Sequence, residues 1–541
     1  MVKDGLLNTP EFYFVLLSGI NLFNYVDRGI IPGASEEFSD FITDNVETSH
    51  PSLFIGLLQS AFVVGFCVAS PIFATLVHHH GPFHLVGIGI SIWIGAVILS
   101  GFAYHANSYE MLIVGRIFSG VGEASFQCCI PPWIATNADE STKSTWLAIF
   151  STAIPVGTAL GYVYSSLVST TLGWNWAFFI EAMIIFPFLV FICSISSRFP
   201  HVKAGVRHFA FVNEADDEEI VPLTNTTNET IDNRSSVLSL NEDEGDDMYD
   251  EASTPLTIHE PSSETLKDEY TLESMDEKFA PSVWEEVKAV CQYPCYVYIV
   301  AGYTAQTGAL IGLSTFGSAF IMGLDYFDSE VQSSTCFGAV VSVAGILGFP
   351  LGGFILDYYS ARSKSLRGHA HLELIRANVL MIWTSIVGAL LFCSVYLVRS
   401  KVLFLILLFF GCLAIFICSS AIVIALLLSV PIENRAIAIA FCSIVIHMLG
   451  DVPSPIIVGY VKDELAPGCT GDDDEVNTSD ACRDDAPGLR LMMFLISLWF
   501  VWCIFFFYFA YIHAKRDYRA AKNRRPSLFL DVDTGEIVKQ D

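Results

Sequence analysis

Positive charge is scarce in this sequence. Lys and Arg supply 28 of 541 residues against 57 Asp and Glu, and the four types together make up 16% of the chain. Soluble domains carry about a quarter. No nucleic-acid partner is expected of such a chain, because a phosphate backbone is gripped by clustered cations. Soluble-enzyme motifs are also missing. There is no Walker sequence, which excludes a primary ATP-driven pump. The glycine pair of "GVGEAS" follows no strand and lies inside an apolar stretch, which excludes dinucleotide binding. "HHHG" at 78–81 reads as a solvated or lipid-facing turn rather than a metal site. No enzyme activity, cofactor or metal is expected.

Apolar residues are abundant instead, at 53% with a mean hydropathy of +0.51. One protein core cannot absorb that much, so lipid is the expected solvent for most of the chain. A bilayer core needs about 20 apolar residues per crossing. Such stretches lie at 12–31, 53–77, 83–104, 109–134, 143–170, 175–197, 291–322, 333–358, 373–398, 402–430, 435–461 and 489–513. The first follows a short polar lead without a small-residue cleavage site, so it reads as a true first helix rather than a signal peptide. The organisation is then a cytoplasmic N-terminus (1–11), a six-helix bundle (12–197), an acidic disordered linker (198–290), a second six-helix bundle (291–513) and a cytoplasmic tail (514–541). The expected fold class is all-α membrane protein.

The net charge of −29 says little about a substrate, since roughly two thirds of the excess lies in 213–278. That segment is rich in acids, Ser, Thr and Asn and poor in apolar residues, the composition of disorder. Its acidity would suit cytoplasmic partners. Lys and Arg cluster at 198–207, 362–376 and 515–525, whereas 32–50, 323–330 and 463–485 are mainly acidic loops. The positive-inside rule therefore puts both termini and the linker in the cytoplasm, against the dissent of Arg399 and Lys401. Cys469 and Cys482 flank an outer or lumenal loop, where a disulfide is expected. The same loop holds a glycosylation sequon at Asn477, while those at Asn225 and Asn228 fall on the cytoplasmic side.

Six spans, a linker and six spans is the layout of a two-bundle transporter with substrate held between parallel repeats. "GFCVASPIFATLVHHHG" (65–81) and "GILGFPLGGFILDYYS" (345–360) end corresponding spans and share small residues with Pro. Gly157 and Gly161 form a small-xxx-small pair that permits close helix packing or a sliding gate surface.

A charge at bilayer depth costs at least ~2.5–3.5 kcal/mol, so each must face a cavity or a partner. The candidates are Asp27 and Arg28, Arg116 and Glu123 in "GRIFSGVGEAS", Glu181, and His447 with Asp451. At ~1.5 Å per residue, Asp27 lies ~22 Å from the inner face and Arg116 ~10 Å from the outer one. In a core of ~30 Å those levels nearly coincide. Glu123 falls two turns below Arg116 on the same helix face. His447 and Asp451, four residues apart, stack in span eleven. Spans one, four and eleven can therefore share a polar lining. Asp27 and Glu123 would exchange protons as the cavity opens, and Arg28 and Arg116 would grip an anionic headgroup. The competing reading is fixed salt bridges that hold the bundle, and Glu181 is assigned to that structural class.

"NYVDRG" (24–29), "GRIFSGVGEAS" (115–125), "AIPVGTALGYVY" (153–164) and "HMLGDVPSPIIVGYVKD" (447–463) together resemble the Spinster branch of the major facilitator superfamily. "ASPIFATLVHHHGPFHLVGIGISIW" (69–93) looks most like its plant and protist members. The resemblance covers nearly all spans and omits linker and tails. It implies proton-linked movement of lysophospholipids, sphingosine phosphate or related lipids, in a lysosomal, vacuolar or late endosomal membrane or at the plasma membrane. It makes Asp27 and Glu123 the protonation sites, Arg28 and Arg116 the charge partners, and His447 and Asp451 the eleventh-span pair. One departure is the loop "TLVHHHGPFH", where the superfamily carries an Asp and basic residues; the loop after span eight keeps Gly353, Asp357 and Arg362, and Asp357 and Arg362 are assigned to gating together with His447 and Asp451. Thr307 and Ser314 in "YTAQTGALIGLSTFGS" would meet the polar part of the lipid. Two alternatives remain: the same fold carrying a small organic anion, and a non-transporting scaffold or sensor acting through its linker.

Overall fold

The computed structural model describes residues 9–77, 80–138, 143–198, 283–327, 329–361, 369–469, 485–523, 527–530 and 537–540. The chain divides into two compact units, 1–209 with 286–541, and Ala210–Glu285. Of the second unit only the first residues of one helix are described, so the acidic segment 213–278 and the sequons at Asn225 and Asn228 lie outside the described residues.

The N-terminal half holds α1 (Pro10–Gly33), α2 (Ser35–Asn45), α3 (Pro51–Leu76), α4 (Pro82–Ala106), α5 (Tyr109–Asn137), α6 (Lys143–Leu172) and α7 (Trp174–Arg198). The C-terminal half holds α8 (Val283–Cys291), α9 (Pro294–Gly323), α10 (Glu330–Ala361), α11 (His369–Val395), α12 (Lys401–Leu428), a broken helix made of α13 (Arg435–Ile446) and α14 (Pro453–Leu465), and α15 (Ala486–Asn523). A short antiparallel pair, β1 (Ser527–Leu530) and β2 (Ile537–Gln540), follows. Proline begins α1, α3, α4 and α9, where a missing N–H leaves no hydrogen bond unmade, and Pro453 begins α14 after the helix break. Ser108 caps α5 by accepting from the Met111 N–H at 3.2 Å.

Twelve long segments thus cross in two bundles of six. Nine of these helices are long and apolar enough to span a bilayer on composition alone. The other three long helices are α1, α5 and α6.

Three features depart from the sequence reading. The acidic stretch 32–50 is not simply a loop, because residues 35–45 form α2. Its Phe38, Phe41 and Ile42 recur at helical spacing and are buried, Phe38 beneath Trp174 at a ring separation of 4.7 Å. The end of the segment assigned to the linker, 283–290, is helical in α8, with Val290 buried. The last span also continues ten residues past 513 into the expected tail, since α15 ends at Asn523.

Small residues set the closest helix contacts. Gly161 of α6 lies on α1 so tightly that a Cβ there would sit 2.3 Å from the Val26 carbonyl oxygen. Gly157 meets Leu22 of the same helix in the same way, so the pair packs α6 against α1.

Between the bundles, α3 packs on α14, α6 on α10, and α1 on α9. The hydrogen bonds across this interface gather from the middle toward the end that carries α2. Ser318 donates to the Pro32 carbonyl at 2.8 Å, Tyr162 to the Ser314 carbonyl at 2.9 Å, and Ser60 to the Val452 carbonyl at 2.5 Å. The Asp463 carboxylate accepts from the N–H groups of Ser52 and Leu53, at 3.2 and 3.0 Å. These are unpaired donors of the first turn of α3, so Asp463 caps a helix in the other bundle. Lys462 beside it is buried and donates to Ser52 Oγ at 2.8 Å.

Candidate functional site

Helix α1 presents Asn21, Asn24, Asp27 and Arg28 along one face, and α5 presents Arg116, Ser119, Glu123 and Gln127 along the face opposite. Spacings of three and four make each set a stripe. The stripes meet through two ion pairs. Arg116 donates from Nη1 to Asp27 Oδ1 at 2.8 Å, with both side chains at or below 1% exposure. Arg28 donates to both oxygens of Glu123, at 2.6 and 3.2 Å, and keeps 23% of its side chain accessible. The pairing therefore runs crosswise: each helix supplies one cation and one carboxylate. Arg28 turns inward to Glu123 rather than out toward an interface.

Phe62 of α3 lies between the two pairs, with each guanidinium carbon 4.9 Å from its ring centroid. Tyr25 lies 5.0 Å from the same Arg28 carbon. Stacked arginines are held by their flat faces and keep their edges for hydrogen bonds. The edges are not used up. Arg116 Nε and Nη2, Asp27 Oδ2 and both amide atoms of Asn24 are buried without a partner among the described residues. At the far end of the stripes Gln127 donates to Asn21, which in turn donates to the Phe150 carbonyl, at 3.0 and 2.9 Å.

Glu181 of α7 joins this cluster. It is buried, neither oxygen has a hydrogen-bond donor, and its electrostatic neighbours are Asp27, Arg116 and Glu123. No cation forms a salt bridge with it among the described residues. Asn24 and Phe62 were not singled out in the sequence. The spacing Asn21, Asn24, Asp27 was the available signal for Asn24; nothing in the sequence marked Phe62.

From the second bundle comes the break between α13 and α14. Residues His447–Asp451 form a π turn, closed by the Val452 N–H on the His447 carbonyl at 2.9 Å. Pro453 and Pro455 lack the N–H groups that would continue an α-helix through here, and the wider turn absorbs the loss. His447 Nδ1 lies 2.6 Å from Asp451 Oδ2. Asp451 interacts electrostatically with Arg28, and the His447 ring meets Phe66 edge-on at 5.4 Å. Spans one, four and eleven thus converge, joined by span six through Glu181.

The proposed lipid-contacting residues separate. Thr307 lies against the π turn, where a Cβ on Gly450 would come within 2.7 Å of its Oγ1. Ser314, two turns further along α9, is instead at the bundle contact, its carbonyl bonded to Tyr162. Glycines of "GRIFSGVGEAS" are covered by neighbouring helices and leave no room for substrate: a Cβ on Gly120 would meet the Phe62 carbonyl oxygen at 2.0 Å.

A model of the Major Facilitator Superfamily matches residues 17–455. A probable sphingolipid transporter spinster homolog 2 of Arabidopsis thaliana is 30% identical over 84% of this chain and 81% of its own. The homolog 1 protein of the same plant is 29% identical over 84% of each. The chain is a Spinster-like member of the Major Facilitator Superfamily. Protein spinster homolog 1 of Homo sapiens is similar at 26% identity, over 83% of this chain and 72% of its own. The fold matches a bacterial homologue of the human lysosomal transporter Spinster, solved inward-facing and occupied, with a TM-score of 0.63 at 14% identity over 94% of this chain and 98% of that one. This Spinster-like protein is an integral membrane transporter and not an enzyme.

Elsewhere in the Spinster-like chain, Asp357 is exposed at the end of α10, and Arg362, assigned with it to gating, lies outside the described residues. Cys469 is disulfide-bonded, whereas its expected partner Cys482 and the sequon at Asn477 lie outside the described residues. His78 and His79 lie outside them as well.

Proposed function

We propose that this protein moves amphipathic lipids with an anionic or zwitterionic head, of the lysophospholipid or sphingoid-phosphate kind, by proton-coupled alternating access. The observation that carries the reading is the crossed pair of ion pairs, Asp27–Arg116 and Arg28–Glu123, with unused donors on Arg116. A headgroup phosphate entering between the bundles competes with the two carboxylates for the same guanidiniums. Each carboxylate so displaced is left in a poorly hydrated site, where a proton replaces the lost cation. Substrate binding and proton binding are then linked through one set of atoms. The hydrogen-bonded closure toward α2 corresponds to an inward-facing state, with the His447–Asp451 turn as the point where α13 and α14 flex.

Lipid cargo is supported by the names of the plant relatives and by the small number of cations in the spans, since a soluble polyanion would call for more than Arg28 and Arg116. The lysosomal or vacuolar membrane is the proposed location, the lysosome being named for the human Spinster protein to which the solved bacterial structure is homologous. The cytoplasmic orientation of termini and linker, the Cys469–Cys482 bridge and glycosylation at Asn477 belong to the same proposal.

The test is uptake into proteoliposomes of a panel of lysophospholipids, sphingoid phosphates and small organic anions, with and without a pH gradient. Lipid uptake driven by the gradient and lost in Glu123→Gln is expected. Movement of organic anions alone would select the alternative cargo, and movement of lipid indifferent to pH in both proteins would refute the coupling. Removal of 213–278 should leave transport intact; complete loss of function with transport unaffected would favour the scaffold reading.

A further inference from the structure

A carboxylate pair, Glu330 buried and Glu37 half-buried, bridges the two bundles, far from Asp27 and Glu123. Glu330 opens α10 and is 6% exposed. Its Oε1 accepts from Ser35 Oγ at 3.3 Å and from the Glu36 N–H at 3.2 Å, both at the start of α2 in the other bundle. Glu37, the next residue, accepts from Ser169 of α6 on its own Oε1 at 2.9 Å. The two carboxyl groups lie within hydrogen-bond reach of each other. Their remaining oxygens, Glu37 Oε2 and Glu330 Oε2, are both buried and have no donor among the described residues. Two ionised carboxylates in such contact repel each other, and one proton shared by the pair converts the contact into a short, strong hydrogen bond.

We infer that Glu37 and Glu330 form a proton-binding site that latches the bundles shut at the α2 end. The inference rests on the alternating-access reading above, because it requires that α2 and α10 part in the opposite state.

The surroundings favour a proton over a metal ion or a fixed ion pair. No cation pairs with either carboxylate among the described residues, and none of their His, Cys, Asp and Glu residues form a group of three or more able to hold a metal. The titratable neighbours on α2 are Glu36 and Asp40. Both are held above the ordinary carboxylate range, by partial burial first and then by Glu37, with Asp40 adding to the effect on Glu36 and Asp44 to that on Asp40. Further negative charge is therefore disfavoured here. Of the neighbouring segments, α1 gives the Gly33 carbonyl to Ser334, α9 gives Ser318, and α6 gives Ser169. His50, before α3, packs on Tyr460, and Lys401 of α12 sits over the Phe327 ring, 3.7 Å from its centroid.

The sign follows from counting protons. The closed state holds one proton on the pair; in the parted state Glu330 leaves its burial beside Glu37 and is free to ionise in water. Acid on the α2 side therefore favours closure, and one proton changes the closed-to-open ratio by at most tenfold per pH unit. A transporter facing an acidic lumen would thereby be held closed on that side until substrate or proton traffic at the inner site releases it.

The experiment places spin labels at Ser49→Cys and Ser400→Cys, both exposed and one on each bundle, after Cys193 and Cys291 are changed to Ser. Distances are measured in nanodiscs across an acid-to-alkaline series without lipid substrate. The wild-type pair should lengthen as pH rises. Glu37→Gln and Glu330→Gln supply a permanent amide donor in nearly the same shape, so each should stay short with the pH response lost. Wild-type response retained in both Gln variants, no response in the wild type, or closure that follows sodium or calcium at constant pH would each overturn the latch. Lipid uptake measured separately distinguishes the two proposals: transport without a latch response refutes only the latch, and a latch response without lipid transport refutes only the cargo.

Discussion

Replacing Asp27 by Asn tests whether the Arg116 pair is dry. Asp27 and Arg116 are at 1% and 0% exposure and meet through a single hydrogen bond of 2.8 Å. At an effective dielectric of about 20, that contact is worth about 6 kcal/mol of gross attraction, most of it offset by the desolvation of two ions. Asn keeps the shape and an oxygen but removes the charge, leaving the Arg116 guanidinium buried beside Phe62. Breaking a buried pair from one side costs about 3–5 kcal/mol, because the other ion stays unpaired. Removing both charges should recover much of that loss. The assay is a double-mutant cycle of Asp27→Asn, Arg116→Met and the double variant, read by unfolding in detergent. Each single change should destabilise strongly, and the double variant should be more stable than the sum of the two predicts. Additive effects, or an Asp27→Asn cost below about 1 kcal/mol, would show that water reaches the pair and would refute the argument for a desolvated site.

Glu123→Gln should be the milder change in stability, about 1.5–3 kcal/mol, because Arg28 is partly accessible and can be rehydrated; unfolding and gradient-driven uptake measured on one preparation should show small destabilisation with loss of coupling. Gly161→Val should prevent α1 and α6 from packing, since even a Cβ overlaps the Val26 carbonyl. Gly95→Ala, with no atom within 4 Å of the new methyl, should be neutral or stabilising by about 1 kcal/mol; equal thermal stability of the two variants would contradict the packing. His447→Gln keeps a donor facing Asp451 but cannot titrate. The pH dependence of uptake should change in this variant, and an unchanged profile would remove His447 from the coupling.

The sequence and the structure agree where one-dimensional rules apply and diverge where partners must be chosen. Depth along a helix brought Asp27 level with Arg116, and they are bonded. The same arithmetic placed Glu123 beneath Arg116 but held no information on which cation it would take, and Arg28 reaches it because α1 and α5 face each other stripe to stripe. Helix α2 was hidden by its acids: four of its eleven residues are Asp or Glu, and the three apolar positions that bury it are too few to register as a span. The π turn at His447 depends on two prolines whose lost hydrogen bonds are absorbed three-dimensionally. Glu37 and Glu330 are 293 positions apart, each in an acidic or unremarkable local context, so only the docking of α2 on α10 brings them together.

Two of the three long helices least fitted to lipid, α1 and α5, carry both ion pairs of the site. Helices α1, α5 and α6 lack the apolar composition of the other nine, although each is long enough to cross. A helix surrounded by lipid must be apolar, whereas one enclosed by other helices can carry charge provided every charge finds a partner. Helices α1 and α5 meet that condition by exchanging cations and carboxylates, and α6 meets it with Ser, Thr and Gly against α1. The condition is met incompletely at Arg116, Asp27, Asn24 and Glu181, each of which keeps buried polar atoms with no partner among the described residues. Such groups persist in a stable fold when something outside the chain completes them. A proton satisfies a carboxylate, and a headgroup phosphate satisfies a guanidinium. The same shortfall recurs at Glu37 and Glu330, where one oxygen of each carboxyl has no donor among the described residues, and there a proton is sufficient.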